Sequence, residues 1–274
     1  MASSVELPAT SLLAPGVRTG RERAAPVPGS VFLPKEHGSW SLALEPLALG
    51  LLLAPSAAGG ALLAASLAGF FARRPLKTAL TAPASARRRE ARVALAILAG
   101  LAAVGGLEVL VLGGFAALWP VLLAVPLGLL FAYFDAQGEG RAAAAEIAGC
   151  ATFAVLPAVF GTLAGWSAPA ALALAVLALV RSVPTVLTIR AFLRQRKGES
   201  AGSAVPLLAA AIGLLLVWAL AAAGLLSWLA TGGALLLLGR TLWLLGPWRP
   251  AWSAKRAGMT EGGLGVSYLI LAAL

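Results

Sequence analysis

Residues 87–113 read RRREARVALAILAGLAAVGGLEVLVLG. Four arginines crowd the first six positions, and the next 21 residues carry one charge, Glu108. At 1.5 Å per residue, such a run crosses a ~30 Å hydrocarbon core as a single helix. In lipid, a helix satisfies its own backbone N–H and C=O groups, which an open strand or a loop does not. The arginines then sit among headgroups on the cytosolic side. This stretch reads as a membrane span with a cationic cytosolic flank.

The rest of the chain repeats that pattern. Of its 274 residues, 60% are hydrophobic and 12% charged, with a mean hydropathy of +0.90. A water-soluble domain carries about 25% charged residues. Leu and Ala run uninterrupted, without the alternating ten-residue strands of an outer-membrane barrel. The net charge of +10 flanks apolar runs instead of lining a polar groove with stacking aromatics, which argues against nucleic acid and for anionic headgroups. The single cysteine, Cys150, excludes an internal disulfide and a multi-cysteine zinc site. It reads as a small packing residue.

Nine apolar runs emerge, near 39–55, 57–72, 93–113, 115–134, 142–165, 168–189, 203–225, 227–246 and 260–274. The first, second and last are short for a bilayer. The expected fold is an all-α polytopic bundle over residues 31–274, preceded by a disordered cytosolic tail at 1–30 that is rich in Pro, Ala and Arg. With the amino end inside, nineteen of the 21 basic residues fall in cytosolic segments. The other two, Arg181 and Arg240, lie within spans. This one-sidedness predicts a cytosolic N-terminus, an external C-terminus and a plasma-membrane location. Trp119, Trp166 and Trp228 mark the outer interface; Trp40, Trp248 and Trp252 mark the inner one. Pro46, Pro126, Pro157, Pro184 and Pro206 predict kinks. The glycine pairs at 59–60, 105–106, 113–114 and 232–233 predict close helix contacts or turns.

Pro34-Lys35-Glu36-His37-Gly38-Ser39-Trp40 precedes the first span. His37 is the only histidine, so no multi-histidine metal site is possible. It is a candidate proton donor or anion ligand at the membrane surface. The same residues also make a helix boundary, with Pro at the turn, Glu36 at the positive helix end and Trp40 as anchor. With Glu45-Pro46 and Gly50 following, the stretch resembles the opening signature of the YwiC-like family of bacterial membrane proteins, Pro-Lys-(Gln/Glu)-His-Gly-(Ala/Ser)-Trp. Length, span pattern and basic inner loops agree with that family over most of residues 31–274. The resemblance implies no established activity.

Arg73-Arg74-Pro75-Leu76 and the segment from Arg190 to Arg194-Gln195-Arg196-Lys197-Gly198 are similar to parts of the two motifs of UbiA-type membrane prenyltransferases. That resemblance implies a UbiA-like plan with a cytosol-facing chamber. Those enzymes hold Mg²⁺ with aspartates in both motifs. Here no Asp or Glu occurs between Glu45 and Glu90, or between Glu146 and Glu199. Arginine cannot ligate Mg²⁺, so no metal site, cofactor or catalytic residue carries over.

Asp135 and Glu139, with Gly138 and Gly140 between and after them, read as a solvated connection. Glu146 is a partner for Arg141 or a lining residue of the chamber. Glu45, Glu108, Arg181 and Arg240 lie within spans, where a charge costs ~2.5–3.5 kcal/mol on insertion scales and needs a partner in the bundle interior. Glu45 with Arg181 is the preferred pair, and Glu108 is near enough to the outer end to snorkel. The candidate polar chamber comprises Lys35, Glu36, His37, Glu45, Arg73, Arg74, Glu146, Arg181 and Arg190. Three classes of function follow. The preferred one is a carrier or binder of a small anionic or amphipathic ligand, the second a transferase with an altered metal site, and the third a membrane scaffold.

Overall fold

The computed structural model describes residues 37–81, 83 and 86–274. The expected tail at 1–30, together with Lys35 and Glu36, lies outside the described residues. Of His37 only the helical backbone is described.

The described chain forms nine α-helices and one 3₁₀ turn. They are α1 (His37–Leu53), α2 (Ala57–Thr81), α3 (Ala86–Gly113), the turn Phe115–Leu118, α4 (Val121–Ala136), α5 (Ala143–Leu163), α6 (Ala168–Arg196), α7 (Ala204–Ala222), α8 (Trp228–Leu245) and α9 (Ala254–Ala273). Each expected span corresponds to one helix. By length and composition α3, α5, α6, α7 and α8 suffice to cross a membrane, while α1 and α4 are shorter apolar helices. The protein is a membrane-embedded helical bundle.

Several boundaries differ from the expected ones, mostly for one reason. Arginine is a good helix former and lays its stem along apolar surface, so helices continue past the end of the apolar run. Thus α2 reaches Thr81 and α6 reaches Arg196. Arg73, Arg74, Lys77, Arg190, Arg194 and Arg196 therefore ride on helices, not in loops. Likewise α3 begins at Ala86 and holds Arg87, Arg88, Arg89 and Arg92 in its first turns. The last helix, expected to be short, has 20 residues because it starts at Ser253, whose hydroxyl caps the N–H of Arg256 at 3.3 Å. Arg88 donates to the Ala79 carbonyl at 2.9 Å, closing the last turn of α2.

Successive helices reverse direction through short connections. At one end lie 54–56, 114–120, 164–167 and 223–227, which contain no charged residue. At the other end lie every described Lys and Arg except the two inside spans. Gly165 (φ 81°) and Gly224 (φ 72°) end α5 and α7 in the left-handed region that favours glycine.

α6 is the central helix, with 67% of its apolar window buried, whereas α3 has 11% and rests chiefly on α2. Lipid supplies no hydrophobic drive between helices, so close approach depends on small residues. A side chain at Gly105 would meet the Ala61 carbonyl at 3.0 Å. The ring of Phe160 fills the space beside Gly50, binding α1 to α5. Gly213 receives Val180, and Gly233 receives Tyr268. Of the four glycine pairs, Gly59, Gly105, Gly113 and Gly233 are close contacts, Gly114 is a turn, and Gly60, Gly106 and Gly232 face open space. Cys150 is a buried packing residue whose thiol donates to the Ile147 carbonyl.

Candidate functional site

Four charged side chains meet inside the bundle, one from each of four helices: Glu45 (α1), Arg181 (α6), Arg240 (α8) and Glu261 (α9). All are buried, Arg181 to 3% exposure and Arg240 to 6%. Arg181 is the hub. Its Nη2 donates to Glu45 Oε1 at 3.2 Å and to the Glu261 carbonyl at 2.7 Å. Its Nη1 donates to Glu261 Oε2 at 3.2 Å and to the Thr185 hydroxyl. Its Nε lies 2.9 Å from Glu45 Oε2, an ion-pair distance without hydrogen-bond alignment. The pair expected between Glu45 and Arg181 is present.

Arg240 is poorly served by comparison. Nη2 donates to Thr185 Oγ1 at 2.9 Å, and Nε stands 3.4 Å from Glu261 Oε1 without a hydrogen bond. Nη1 has no hydrogen-bond partner among the described residues. A guanidinium carries five donors, and this one makes a single hydrogen bond. Thr188 and Thr241 join α6 to α8 one turn further on, 3.2 Å apart. The Tyr268 hydroxyl ties α9 to α6 through the Leu177 carbonyl at 2.9 Å.

Local sequence explains the placement. Pro46 follows Glu45 and lacks an N–H, which leaves the Leu42 carbonyl without its helical donor; Pro184 does the same for Val180. Gly265 lets α9 approach so closely that a Cβ there would collide with the Glu45 carboxylate. A narrow, apolar-surfaced crevice is bordered by Glu45, Pro46 and Leu49 of α1, Ala178 and Arg181 of α6, and Tyr268 and Leu269 of α9. Its free interior holds about one water.

The other expected site residues lie elsewhere. Arg190 is about 13 Å further along α6 at 1.5 Å per residue. It donates to Glu146 Oε2 at 2.7 Å and to the Arg141 carbonyl at 2.9 Å. Arg73 donates to Asp135 Oδ1 at 3.0 Å and stacks over Phe131, and Lys77 reaches the same carboxylate at 3.3 Å. Asp135, expected to be solvated, is held by these two cations, while Glu139 is exposed. Arg74 is half-buried beside Arg73 on α2. The connection between α4 and α5 is thus gripped from α2 at its start and from α6 at its end. Glu108 is exposed on the outer face of α3. Among the described residues no three His, Cys, Asp or Glu side chains converge to hold a metal.

Residues 33–160 match the family model described as YwiC-like protein. Over this stretch the chain is similar to that family. No curated protein and no solved structure matches the chain. The YwiC-like stretch carries Glu45, Arg73, Arg74, Asp135 and Glu146. Arg73 and Asp135 pair within it, but the partners of Glu45 and Glu146, Arg181 and Arg190, lie beyond it, as do Arg240 and Glu261, so the resemblance read over most of 31–274 is carried by the first part of the chain. The buried cluster is assembled from the YwiC-like stretch and the helices that follow it. Glu261 and Arg240 were absent from the expected chamber. Glu261 is the only Asp or Glu after Glu199, and a span arginine needs a carboxylate; that was the available signal.

Proposed function

We propose that this protein lies in the bacterial plasma membrane, amino end in the cytosol and carboxyl end outside, and that it binds and carries a small anionic or amphipathic molecule at the buried cluster. One observation supports this reading above the others: Arg240 is buried and leaves Nη1 without a hydrogen bond. A buried, under-bonded cation is costly, and ionisable groups inside membrane bundles mark ligand pathways. An anion seated on Arg240 completes its bonding. The transferase and scaffold alternatives have no observation of similar specificity behind them.

The test is the thermal unfolding midpoint of the purified protein in detergent, measured against acetate, octanoate and phosphate. At 100 times its Kd a ligand of the native state adds about 2.7 kcal/mol, so at least one anion is expected to raise the midpoint by several degrees. Arg240→Met is expected to abolish that rise. If no anion moves the midpoint, or the variant responds as the wild type does, the reading fails.

The charge-free connections at one end and the cations at the other support the orientation. In a Cys150→Ala background, Ser167→Cys is expected to react with a membrane-impermeant maleimide on intact cells, and Ser200→Cys only after lysis. The reverse pattern would overturn it.

A further inference from the structure

We propose that the face of α3 turned away from α2 seats one anionic phospholipid. Arg89 and Arg92 hold its phosphate, and one acyl chain lies along the apolar residues that follow on the same face. This seat is separate from the buried cluster and stands or falls independently of the carrier reading.

The arginines come first. Arg87, Arg89 and Arg92 are exposed in the first turns of α3, and none has a hydrogen-bond or ion-pair partner among the described residues. Most other cations at this end of the bundle are engaged. Arg73 and Lys77 hold Asp135, Arg190 holds Glu146, Arg194 holds Glu199, and Arg196 donates to the Trp252 carbonyl. Lys197 and Lys255 are likewise unpaired among the described residues, but they stand apart, at the ends of α6 and α9. The start of a helix is its positive end, which favours carboxylates and disfavours cations. Yet α3 has no acidic residue in its first turn, and the exposed Glu90 makes no ion pair among the described residues. An anion from outside the chain supplies what the helix lacks, and guanidinium groups match phosphate oxygens in charge and geometry.

The rest of the helix decides which anion. α2 covers one side of α3, where Ala91, Ala94, Gly105 and Val109 are buried. Helical spacing gathers Arg89, Arg92, Val93, Ala96, Gly100 and Ala103 on the opposite side, and all six are exposed. From Arg92 to Ala103 the helix rises ~16 Å, close to one leaflet of a ~30 Å hydrocarbon core. Two cations above a leaflet's depth of apolar surface fit a phospholipid better than a free phosphate.

A second copy of the chain fits this face poorly. A two-fold axis along the membrane normal pairs α3 with α3 in parallel. It sets Arg89 and Arg92 against the same two arginines, a juxtaposition of like charges.

The experiment is native mass spectrometry of the full-length protein in detergent, titrated with dioleoylphosphatidylglycerol or dioleoylphosphatidylcholine. One phosphatidylglycerol is expected to bind about tenfold more tightly than phosphatidylcholine. Inorganic phosphate at the same concentration is expected not to displace it. Arg89→Gln with Arg92→Gln is expected to remove the preference. Lys197→Gln with Lys255→Gln deletes the same charge elsewhere and is expected to leave the preference intact. Gly100→Leu is expected to weaken phosphatidylglycerol several-fold at an unchanged thermal midpoint, because an added Cβ there meets nothing within 4 Å. The comparison of the two lipids needs no variant, so misfolding of one does not blunt the test. Equal binding of both lipids, or equal loss in the two double variants, reduces the arginines to diffuse surface charge and overturns the inference. Displacement by phosphate, or full affinity in Gly100→Leu, overturns the acyl-chain seat. A dimer that Gly100→Leu splits overturns it in favour of a second copy.

Discussion

Arg181→Met is expected to cost about 3–5 kcal/mol, the usual penalty for leaving a buried ion without its partner. The substitution keeps the side-chain bulk but strands two carboxylates. Glu45 loses its only hydrogen-bonding side-chain partner among the described residues, and Glu261 is left with Arg240 at 3.4 Å. α1 loses its ion pair to α6, and α9 keeps only the Tyr268–Leu177 hydrogen bond to it, so the thermal midpoint in detergent should drop by many degrees. Adding Glu45→Gln should recover part of the loss, because Arg240 and Glu261 then remain as a balanced pair and the neutral amide at 45 demands no counter-ion. An unchanged midpoint in Arg181→Met would show that the network does not hold the helices.

Gly265→Ala should be the second most damaging change. Alanine normally stabilises a helix by up to about 1 kcal/mol over glycine. At this position the added methyl overlaps the Glu45 carboxyl group, which is pinned by Arg181 and has no free rotation to yield. A net cost of about 1–3 kcal/mol follows from the forced displacement. Gly263, two residues away on the same helix, has nothing within 4 Å of an added Cβ, so Gly263→Ala should be neutral or stabilising. The cost at 265 should vanish in a Glu45→Ala background, the mark of direct coupling. Equal effects at 263 and 265 would place the sensitivity in α9 itself rather than in its contact with Glu45.

How much of this was legible differs by residue. The bundle was readable because lipid leaves few options: long apolar runs become helices, and cations collect at one end. Glu45 and Arg181 could be paired from depth alone, since each is stranded inside a span with a proline beside it. Glu261 was placed at the edge of a short last span, because the cap at Ser253 that lengthens α9 is a local hydrogen bond and not an apolar signal. That hid the third partner, and with it the role of Arg240. The expectation for Asp135 went astray for a related reason. Its partners Arg73 and Lys77 were assigned to a loop, whereas the continuation of α2 carries them to it. Pairings between helices depend on where helices stop, and polar ends stop them less sharply than apolar runs start them.

The meeting of Glu45 and Glu261 on one guanidinium has a consequence for biogenesis. The chain is made from its amino end, so the first helix waits in the bilayer for five more before Arg181 arrives. Arg240 then waits for the ninth. Until α9 emerges from the ribosome, the nascent protein carries an uncompensated cation at its heart, and a stalled or truncated chain remains in that state. Photocrosslinks from position 240 to lipid in chains arrested before residue 254, replaced by crosslinks to α9 in finished ones, would mark the moment the bundle closes.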